Sequence, residues 1–165
     1  MDIGLPGKSG LELIHDLRAR MPELIILAIS MFDEMLYAER VLRAGGRGYI
    51  MKQEGPEKIF EAIRQVLAGQ VYLSGKMSSL ILDTLSGHHK NHSPIGVLSD
   101  RELEILRLIG QGMDSHDIAQ QLNLSFKTVD SHRGHIKEKL SLKSGTELIC
   151  FAARWIATQS PADFK

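Results

Sequence analysis

Residues 115–140 read SHDIAQQLNLSFKTVDSHRGHIKEKL, and this stretch contains two helical patterns separated by a short turn. In the first pattern, Ile118, Ala119 and Leu122 recur at the spacing that places them on one face of a helix. After the turn, Ser125 stands at the N-cap position, where its hydroxyl can accept hydrogen bonds from the first free amides of the second helix. Because the small side chain of Ala119 allows two helices to cross closely, the stretch predicts a helix-turn-helix.

The second helix of this motif carries a local excess of positive charge. Its apolar residues Val129, Ile136 and Leu140 fall together on a helical wheel. In residues 127–143, which include this helix, five basic residues stand against two acidic ones, namely Lys127, Arg133, Lys137, Lys139 and Lys143 against Asp130 and Glu138. Phosphate groups bind such a surface through counterion release, but a solvated helix in an ordinary bundle would carry the same modest excess. Charge and periodicity alone therefore leave both interpretations open.

Two further helices are predicted around this motif. Ser99 and Glu102 have the spacing of a capping box, which begins a helix that ends at Gly112. Ser144 caps a last helix that reaches through Trp155. Residues 97–165 are therefore predicted to form an all-α unit of four helices.

Residues 1–87 show a different pattern, and a polar segment at 88–96 (HHKNHSPIG) separates the two as a linker. The apolar run 24–29 and the short run 48–51 predict two strands, with a helix before, between and after them. Ser9 and Glu12 predict a capping box at the start of the first helix. Alternating helices and strands imply parallel pairing with right-handed crossovers, so this half is predicted to be α/β.

The composition excludes several classes of protein. The chain has 165 residues, 43% of them apolar, and 20 basic residues balance 20 acidic ones. No apolar run approaches the roughly 18 residues of a membrane helix, and no signal peptide is predicted. The single cysteine, Cys150, favours a reducing cytoplasm and is predicted to be a small buried residue. No pattern of catalytic residues is present, so the chain is predicted not to be an enzyme.

The second half resembles a known family of DNA-binding domains. The segments LSDRE (98–102), DIA (117–119) and SFKTVDSH (125–132) resemble the LuxR/NarL-type four-helix domain, and the resemblance covers residues 97–157. It implies that helix 126–140 enters the major groove of duplex DNA and that the last helix contributes a dimer contact. It therefore implies a homodimer on a two-fold site.

The resemblance also implies roles for single residues of this helix. The positions that often meet bases are Lys127, Asp130, Ser131 and Gly134. The positions nearer the phosphate backbone are Thr128, His132, Arg133 and Lys137. Two of these depart from the family pattern, because Asp130 stands where many members have lysine and Gly134 has no side chain. An acidic residue can accept a hydrogen bond from cytosine N4.

The first half resembles the receiver domain of two-component response regulators of the NarL/FixJ/LuxR type. Residues 2–10 (DIGLPGKSG) resemble the loop after the phosphorylated aspartate, which implies that Asp2 is the phosphoacceptor and that a sensor histidine kinase is a partner. The resemblance also implies that Ser30 and Tyr49 are switch residues and that Lys52 contacts the phosphoryl group. A carboxylate at the end of a parallel strand lies in the ligand crevice of an open sheet.

Compared with that family, the receiver is expected to be truncated at its amino end. Only the last two parallel strands and three helices of the flavodoxin-like order 2-1-3-4-5 are predicted. The acidic pair that binds Mg²⁺ in an intact receiver is missing, so no cofactor is expected and phosphorylation is expected to be poor. Met1 would then be an internal methionine of a longer reading frame. The strand at 24–29 is expected to have an uncovered edge, which pairs with another chain, packs on the helical domain or remains loosely ordered.

These observations predict a cytoplasmic transcriptional regulator that binds duplex DNA, as the output of a two-component phosphorelay. The alternative is an interaction module that binds little DNA, pairs with intact regulators and blocks them. No metal site is predicted. His88, His89 and His92 fit a solvated linker, and His132 with His135 fits helix packing and phosphate contact.

Overall fold

The computed structural model describes residues 1–5, 9–86 and 94–159, without the side chain of Gln159. The chain divides into two compact units, Met1–Asn91 and His92–Lys165. Most of the linker predicted at 88–96, including its three histidines, lies outside the described residues, as do residues 6–8 of the 2–10 loop. Neither described unit contains a helix long and apolar enough to cross a lipid bilayer.

The first unit combines a small parallel sheet with four helices. Its helices are α1 (Gly10–Arg20), α2 (Glu34–Arg43), α3 (Pro56–Leu67) and α4 (Gly75–Leu85). Its strands are β1 (Leu27–Ser30) and β2 (Gly48–Met51), which pair in parallel from Leu27 opposite Gly48 to Ser30 opposite Met51. The predicted α/β class and the parallel pairing are confirmed. Strand β1 begins three residues later than the apolar run because its partner β2 begins only at Gly48, opposite Leu27.

The outer edge of β1, predicted to be uncovered, is partly covered by the start of the chain. The Met1 ammonium group donates a hydrogen bond of 2.7 Å to the carbonyl of Leu27, and the amide of Ile29 donates one of 2.8 Å to the carbonyl of Met1. At the opposite edge of the sheet, Tyr72 bonds to the backbone of β2, because the amide of Tyr49 donates to the Tyr72 carbonyl at 3.0 Å. The two strands therefore have bonded backbone on both sides.

Helix α4 was not predicted, since three helices were expected in this half. Ser74 caps it by accepting a hydrogen bond of 3.1 Å from the amide of Met77, whose side chain is buried. Leu82 and Leu85 are 65% and 79% exposed. The apolar residues of this segment thus do not form a single inward stripe, and periodicity gave no clear helical signal.

The capping box predicted at Ser9 is wrong. Ser9 is the N-cap residue of α1, but its side chain makes no capping bond and is buried. The reason is tertiary packing, because the backbone of Gly10 lies against Ile3, where an added Cβ would be 2.6 Å from the Ile3 Cα. The amide of Gly10 donates to the carbonyl of Ile3 at 3.2 Å.

The second unit is all α, as predicted. Its helices are α5 (Asp100–Gly110), α6 (Ser115–Gln121), α7 (Phe126–Lys139) and α8 (Gly145–Gln159). The predicted box at Ser99 is present, with the Ser99 hydroxyl bonded to the amide of Glu102 and the Glu102 carboxylate bonded to the amide of Ser99. Leu103, Leu106 and Leu148 are completely buried in the core of this unit.

The prediction that Cys150 is buried is wrong, because the residue is exposed. Leu148 and Ala152 are the buried residues on this part of α8. Cys150 is two positions from each of them, and two positions correspond to about 200° around a helix of 3.6 residues per turn. Cys150 therefore lies on the side of α8 opposite the core.

Candidate nucleic-acid interface and phosphoacceptor site

The α6–α7 turn is built from local hydrogen bonds that fix the direction of α7. Asp114 caps α6 by accepting hydrogen bonds from the amides of His116 and Asp117, at 2.7 and 2.9 Å. Asn123 has φ of 52°, a left-handed conformation that asparagine tolerates and that reverses the chain. The Ser125 hydroxyl then accepts from the amide of Thr128 at 3.0 Å, as the sequence predicted for an N-cap.

One side of α7 is buried in the unit and holds the helix in place. Val129 and Ile136 are completely buried, as is Ile118 of α6, and Leu122, which follows α6, is buried beside them. These four residues belong to the apolar pattern that predicted the motif. Other side chains of α7, among them Lys127, Asp130 and Ser131, are exposed.

The outward side of α7 presents most of the residues predicted to contact bases. Lys127, Asp130 and Ser131 are exposed, and an added Cβ on Gly134 would meet nothing within 4 Å. The Ser131 hydroxyl donates to the carbonyl of Lys127 at 2.9 Å within the helix. This face therefore carries one cation, one anion, one hydroxyl and a stretch of bare backbone.

The residues predicted to lie near phosphates differ in their burial, their hydrogen bonds and their charge. Arg133 and Lys137 are half-buried. The Thr128 hydroxyl lies 2.8 Å from that of Ser125 and takes part in the cap. Burial lowers the pKa of His132 below its ordinary value, so this ring is neutral at pH 7 and adds no charge to the surface.

An ion pair that the sequence did not predict joins α7 to α5. The ammonium Nζ of Lys139 lies 2.6 Å from Oε2 of Glu102, which also accepts from the amide of Ser99 at 2.7 Å. Burial acts to raise the pKa of Glu102, but the bonds from Lys139 and Ser99 outweigh it and hold that pKa below its ordinary value. No local pattern links residues so far apart in the chain, and Glu102 was assigned only to the capping box.

In the first unit, the structure brings Asp2 and Lys52 together. Nζ of Lys52 lies 2.6 Å from Oδ2 of Asp2, and the amide of Gly4 donates to Oδ1 at 3.0 Å. Burial acts to raise the pKa of Asp2, but these two bonds outweigh it and lower the pKa below its ordinary value. Asp2 is therefore a carboxylate with a cation beside it.

Ser30 and Tyr49 are both buried near this end of the sheet. The Tyr49 hydroxyl donates to the carbonyl of Phe32 at 2.8 Å, and the amide of Phe32 approaches the Ser30 hydroxyl oxygen at 3.3 Å. Burial raises the pKa of Tyr49 well above its ordinary value, so the phenol stays protonated. Ser30 ends β1 and Lys52 follows β2, which places both at the carboxyl edge of the parallel strands.

The residues around Asp2 do not fit a magnesium ion. Mg²⁺ is held in proteins by carboxylates together with water and phosphate oxygens. Within residues 1–5, 9–86 and 94–159, the only group of three histidine, cysteine or acidic side chains that can meet one ion is Glu102, His132 and His135. Asp2 belongs to no such group, and its Oδ2 is occupied by Lys52.

Comparison with known families identifies the chain. The model of the response regulator receiver domain matches residues 1–64, and that of the bacterial regulatory proteins of the luxR family matches residues 96–152. The chain belongs to the LuxR-type response regulators, as its sequence predicted. Oxygen regulatory protein NreC of Staphylococcus haemolyticus (strain JCSC1435) is 38% identical over 160 residues, or 93% of this chain and 74% of the relative. The NreC of Staphylococcus aureus (strain JH9) is 40% identical with the same coverage.

Solved structures of similar fold come from the same class of protein. RcsB of Salmonella enterica serovar Typhimurium, bound to the promoter rprA in the presence of the phosphomimetic BeF3-, is 25% identical, with a TM-score of 0.59 and coverage of 92% of this chain and 72% of that one. A second structure of the Salmonella typhimurium RcsB response regulator, described as showing conformational dynamism for DNA interaction, is 26% identical. Its TM-score is 0.65, and coverage is 93% of this chain and 71% of that one.

Proposed function

We propose that this chain is a transcriptional regulator that binds duplex DNA by inserting α7 into the major groove. The observation that carries the proposal is the division of α7 into a buried apolar side and an exposed polar side. A rigid helix with one free face is the element that helix-turn-helix proteins place in the groove. The chain is proposed to act in the cytoplasm, as a regulator and not as an enzyme.

The exposed face of α7 supplies two kinds of contact in this proposal. Lys127, Asp130 and Ser131 lie in its first two turns, from which a recognition helix reaches base edges. Arg133 and Lys137 provide cations for phosphates, each contributing to affinity through counterion release. At Gly134 the absence of a side chain allows the helix backbone to approach the DNA closely.

Replacing one phosphate-contacting cation tests this assignment. Lys137→Ala is expected to weaken binding to all DNA sequences alike and to reduce the slope of log affinity against log salt by about 1. Fluorescence anisotropy with a labelled duplex at several salt concentrations measures both quantities. Lys76→Ala removes an exposed lysine from the first unit and is the matched control, expected to leave the slope unchanged.

The salt dependence of DNA binding by the wild type also tests the proposal. A wild-type chain without salt-dependent affinity for duplex DNA at low ionic strength would contradict the proposal. It would favour the alternative interaction module, which pairs with intact regulators and blocks them.

We further propose that the chain binds DNA as a homodimer on a two-fold site. In such dimers the recognition helices enter successive major grooves about 34 Å apart. Selection of bound sequences from a random pool of duplexes should therefore return inverted repeats with that spacing.

For the first unit, we propose that Asp2 is the phosphoacceptor position, with Lys52 as the residue that contacts the phosphoryl group. The 2.6 Å contact between their side chains supports this pairing. A sensor histidine kinase is the partner that such a receiver implies. No Mg²⁺ is proposed at Asp2, because within the described residues Asp2 belongs to no group of three side chains that can meet one ion.

Phosphorylation of this chain by a small donor is expected to be poor. Within the described residues, the acceptor carboxylate has a lysine beside it but belongs to no group of three side chains that can meet one ion. A bound metal supplies much of the charge neutralisation in phosphoryl transfer. Incubation with acetyl phosphate and magnesium, followed by intact-mass measurement, should leave the mass unchanged, as it should for Asp2→Asn. A stoichiometric phosphoryl addition in the wild type that Asp2→Asn abolishes would contradict this expectation.

A further inference from the structure

We propose that Glu102, His132 and His135 form a binding site for a divalent transition-metal ion of the zinc class. Glu102 lies on α5 and the two histidines lie one turn apart on α7. One ligand atom from each of the three residues can be chosen so that all lie within 4.8 Å of one another. Imidazole nitrogen and carboxylate oxygen are both ligands of Zn²⁺, and three protein ligands leave a fourth position for water.

The carboxylate of Glu102 is already oriented for this role. Its side chain is 5% exposed, and both the Ser99 amide and the Lys139 ammonium bond to Oε2. The other oxygen, Oε1, lies 4.0 Å from Nδ1 of His135. Hydrogen bonds to the second oxygen of a ligating carboxylate orient it and keep it ionised, so Lys139 does not have to leave when a metal binds.

His132 supplies a nitrogen that needs a partner. Its Nδ1 is buried, and in the described part of the chain no group forms a hydrogen bond with it. Buried ring nitrogens normally have a partner. The neutral imidazole, with a free ring nitrogen, is the form of histidine that coordinates a metal.

His135 can close the site because its side chain is 62% exposed. Tetrahedral Zn²⁺ with bonds of about 2.0 to 2.2 Å places its ligand atoms about 3.3 Å apart. The present ligand atoms lie up to 4.8 Å apart, and the ring centroids of His132 and His135 are separated by 6.4 Å. The ring of His135 therefore has to turn inward by about 1 to 2 Å to reach this spacing. An exposed side chain makes that rotation without moving the helix.

The nearest cations do not occupy the proposed position. Lys139 is bonded to Oε2 of Glu102, and Arg101 is bonded to Glu104 at 2.7 Å. A bound ion would bridge α5 and α7 and so stabilise the second unit. Of the residues predicted to contact DNA, the site uses only His132 and none of Lys127, Asp130 and Ser131, and zinc binding can be measured without DNA.

Titration of the full chain with ZnCl₂ in metal-free buffer at pH 7.5 tests the proposal without DNA. Calorimetry should detect a site that His135→Ala weakens at least about tenfold. Zinc should also raise the thermal midpoint of the second unit, followed by the fluorescence of Trp155, and His135→Ala should abolish that rise. His116→Ala, which removes an exposed histidine from α6, is the matched control and should keep both effects.

The histidines at 88, 89 and 92 need a separate control because their imidazole rings can also bind zinc. A variant with His88→Asn, His89→Asn and His92→Asn should keep the zinc-dependent rise in midpoint, and ring-nitrogen NMR signals of His132 and His135 should shift on zinc addition. Three results would overturn the proposal: no zinc binding by the wild type, wild-type affinity in His135→Ala, or loss of all binding in the linker variant.

Discussion

Gly110→Ala is expected to destabilise the second unit by about 3 kcal/mol or more, at the upper end of what overpacking costs. Gly110 is the last residue of α5, where that helix crosses α8. An added Cβ would lie 2.5 Å from Cγ1 of Ile156 and 2.6 Å from the carbonyl oxygen of Ala152. The side chain of Ile156 can rotate away, but the backbone oxygen of Ala152 cannot, so the two helices have to separate.

Gly134→Ala is the control, and it is expected to increase the stability of the second unit. Gly134 lies inside α7, and an added Cβ there would meet nothing within 4 Å. Replacing an interior helical glycine with alanine gains about 1 kcal/mol of helix propensity. Because Trp155 is the only tryptophan and lies nearly buried in the second unit, its fluorescence reports the unfolding of that unit for both variants.

In a unit of this size, 1 kcal/mol shifts the thermal midpoint by about 4 to 8 °C. Gly110→Ala should therefore lower the midpoint by at least about 12 °C, whereas Gly134→Ala should raise it by about 4 to 8 °C. Equal midpoints for the two variants would contradict the close crossing of α5 and α8. If Gly134→Ala is more stable but binds DNA more weakly, glycine is present there for close approach to the double helix.

Glu102→Gln is expected to destabilise the second unit by about 2 kcal/mol at pH 7, the scale of a hydrogen bond to a charged group. The substitution preserves the shape of the side chain and its bond to the Ser99 amide, but it removes the charge that pairs with Lys139 at 2.6 Å. The loss is limited because the Lys139 side chain is 39% exposed and can return to water.

The effect of Glu102→Gln should depend on pH in a defined direction. Burial acts to raise the pKa of Glu102, but the bonds from Lys139 and Ser99 outweigh it and lower that pKa in the folded chain below its ordinary value of 4.5. A lowered carboxyl pKa contributes stability that is complete above the unfolded pKa and is lost as the pH falls through the folded pKa. Denaturant unfolding at a series of pH values should therefore give a constant difference between the wild type and Glu102→Gln above about pH 5.5, narrowing below pH 4.5.

A second variant separates this ion pair from the capping box. Lys139→Met removes the ammonium and leaves the bonds between Ser99 and Glu102 in place. If the pair is responsible, the double variant should lose less stability than the sum of the two single losses, by at least about 0.5 kcal/mol. Strict additivity would assign the effect of Glu102→Gln to the cap alone.

Local patterns predicted the second unit well and the first unit less well. The capping box at Ser99, the N-cap at Ser125 and the apolar stripe of α7 all depend on residues a few positions apart. The box at Ser9 has the same spacing but fails, because Gly10 packs against Ile3 and the Ser9 side chain is buried. Propensity is a weak prior that tertiary packing overrides.

The parts of the site that were missed depend on contacts between distant segments. The pairing of Glu102 with Lys139, and the approach of Glu102 to the two histidines of α7, bring together residues of different helices. The contact between Asp2 and Lys52 is equally distant in the chain, and only the resemblance to receiver domains placed those two residues in one site. Helix α4 was missed because its exposed leucines obscure the inward stripe.

The arrangement of the small sheet has a consequence for how the chain folds. Ile29 bonds to Met1, Leu27 pairs with Gly48, and Gly48 bridges to Tyr72, so each step of the sheet joins segments that are far apart in the sequence. Contacts of this kind slow folding, because each loop has to close before the contact is formed. During synthesis, β2 lacks its outer partner until Tyr72 has left the ribosome, and the first unit therefore presents open strand edges to other nascent chains until then.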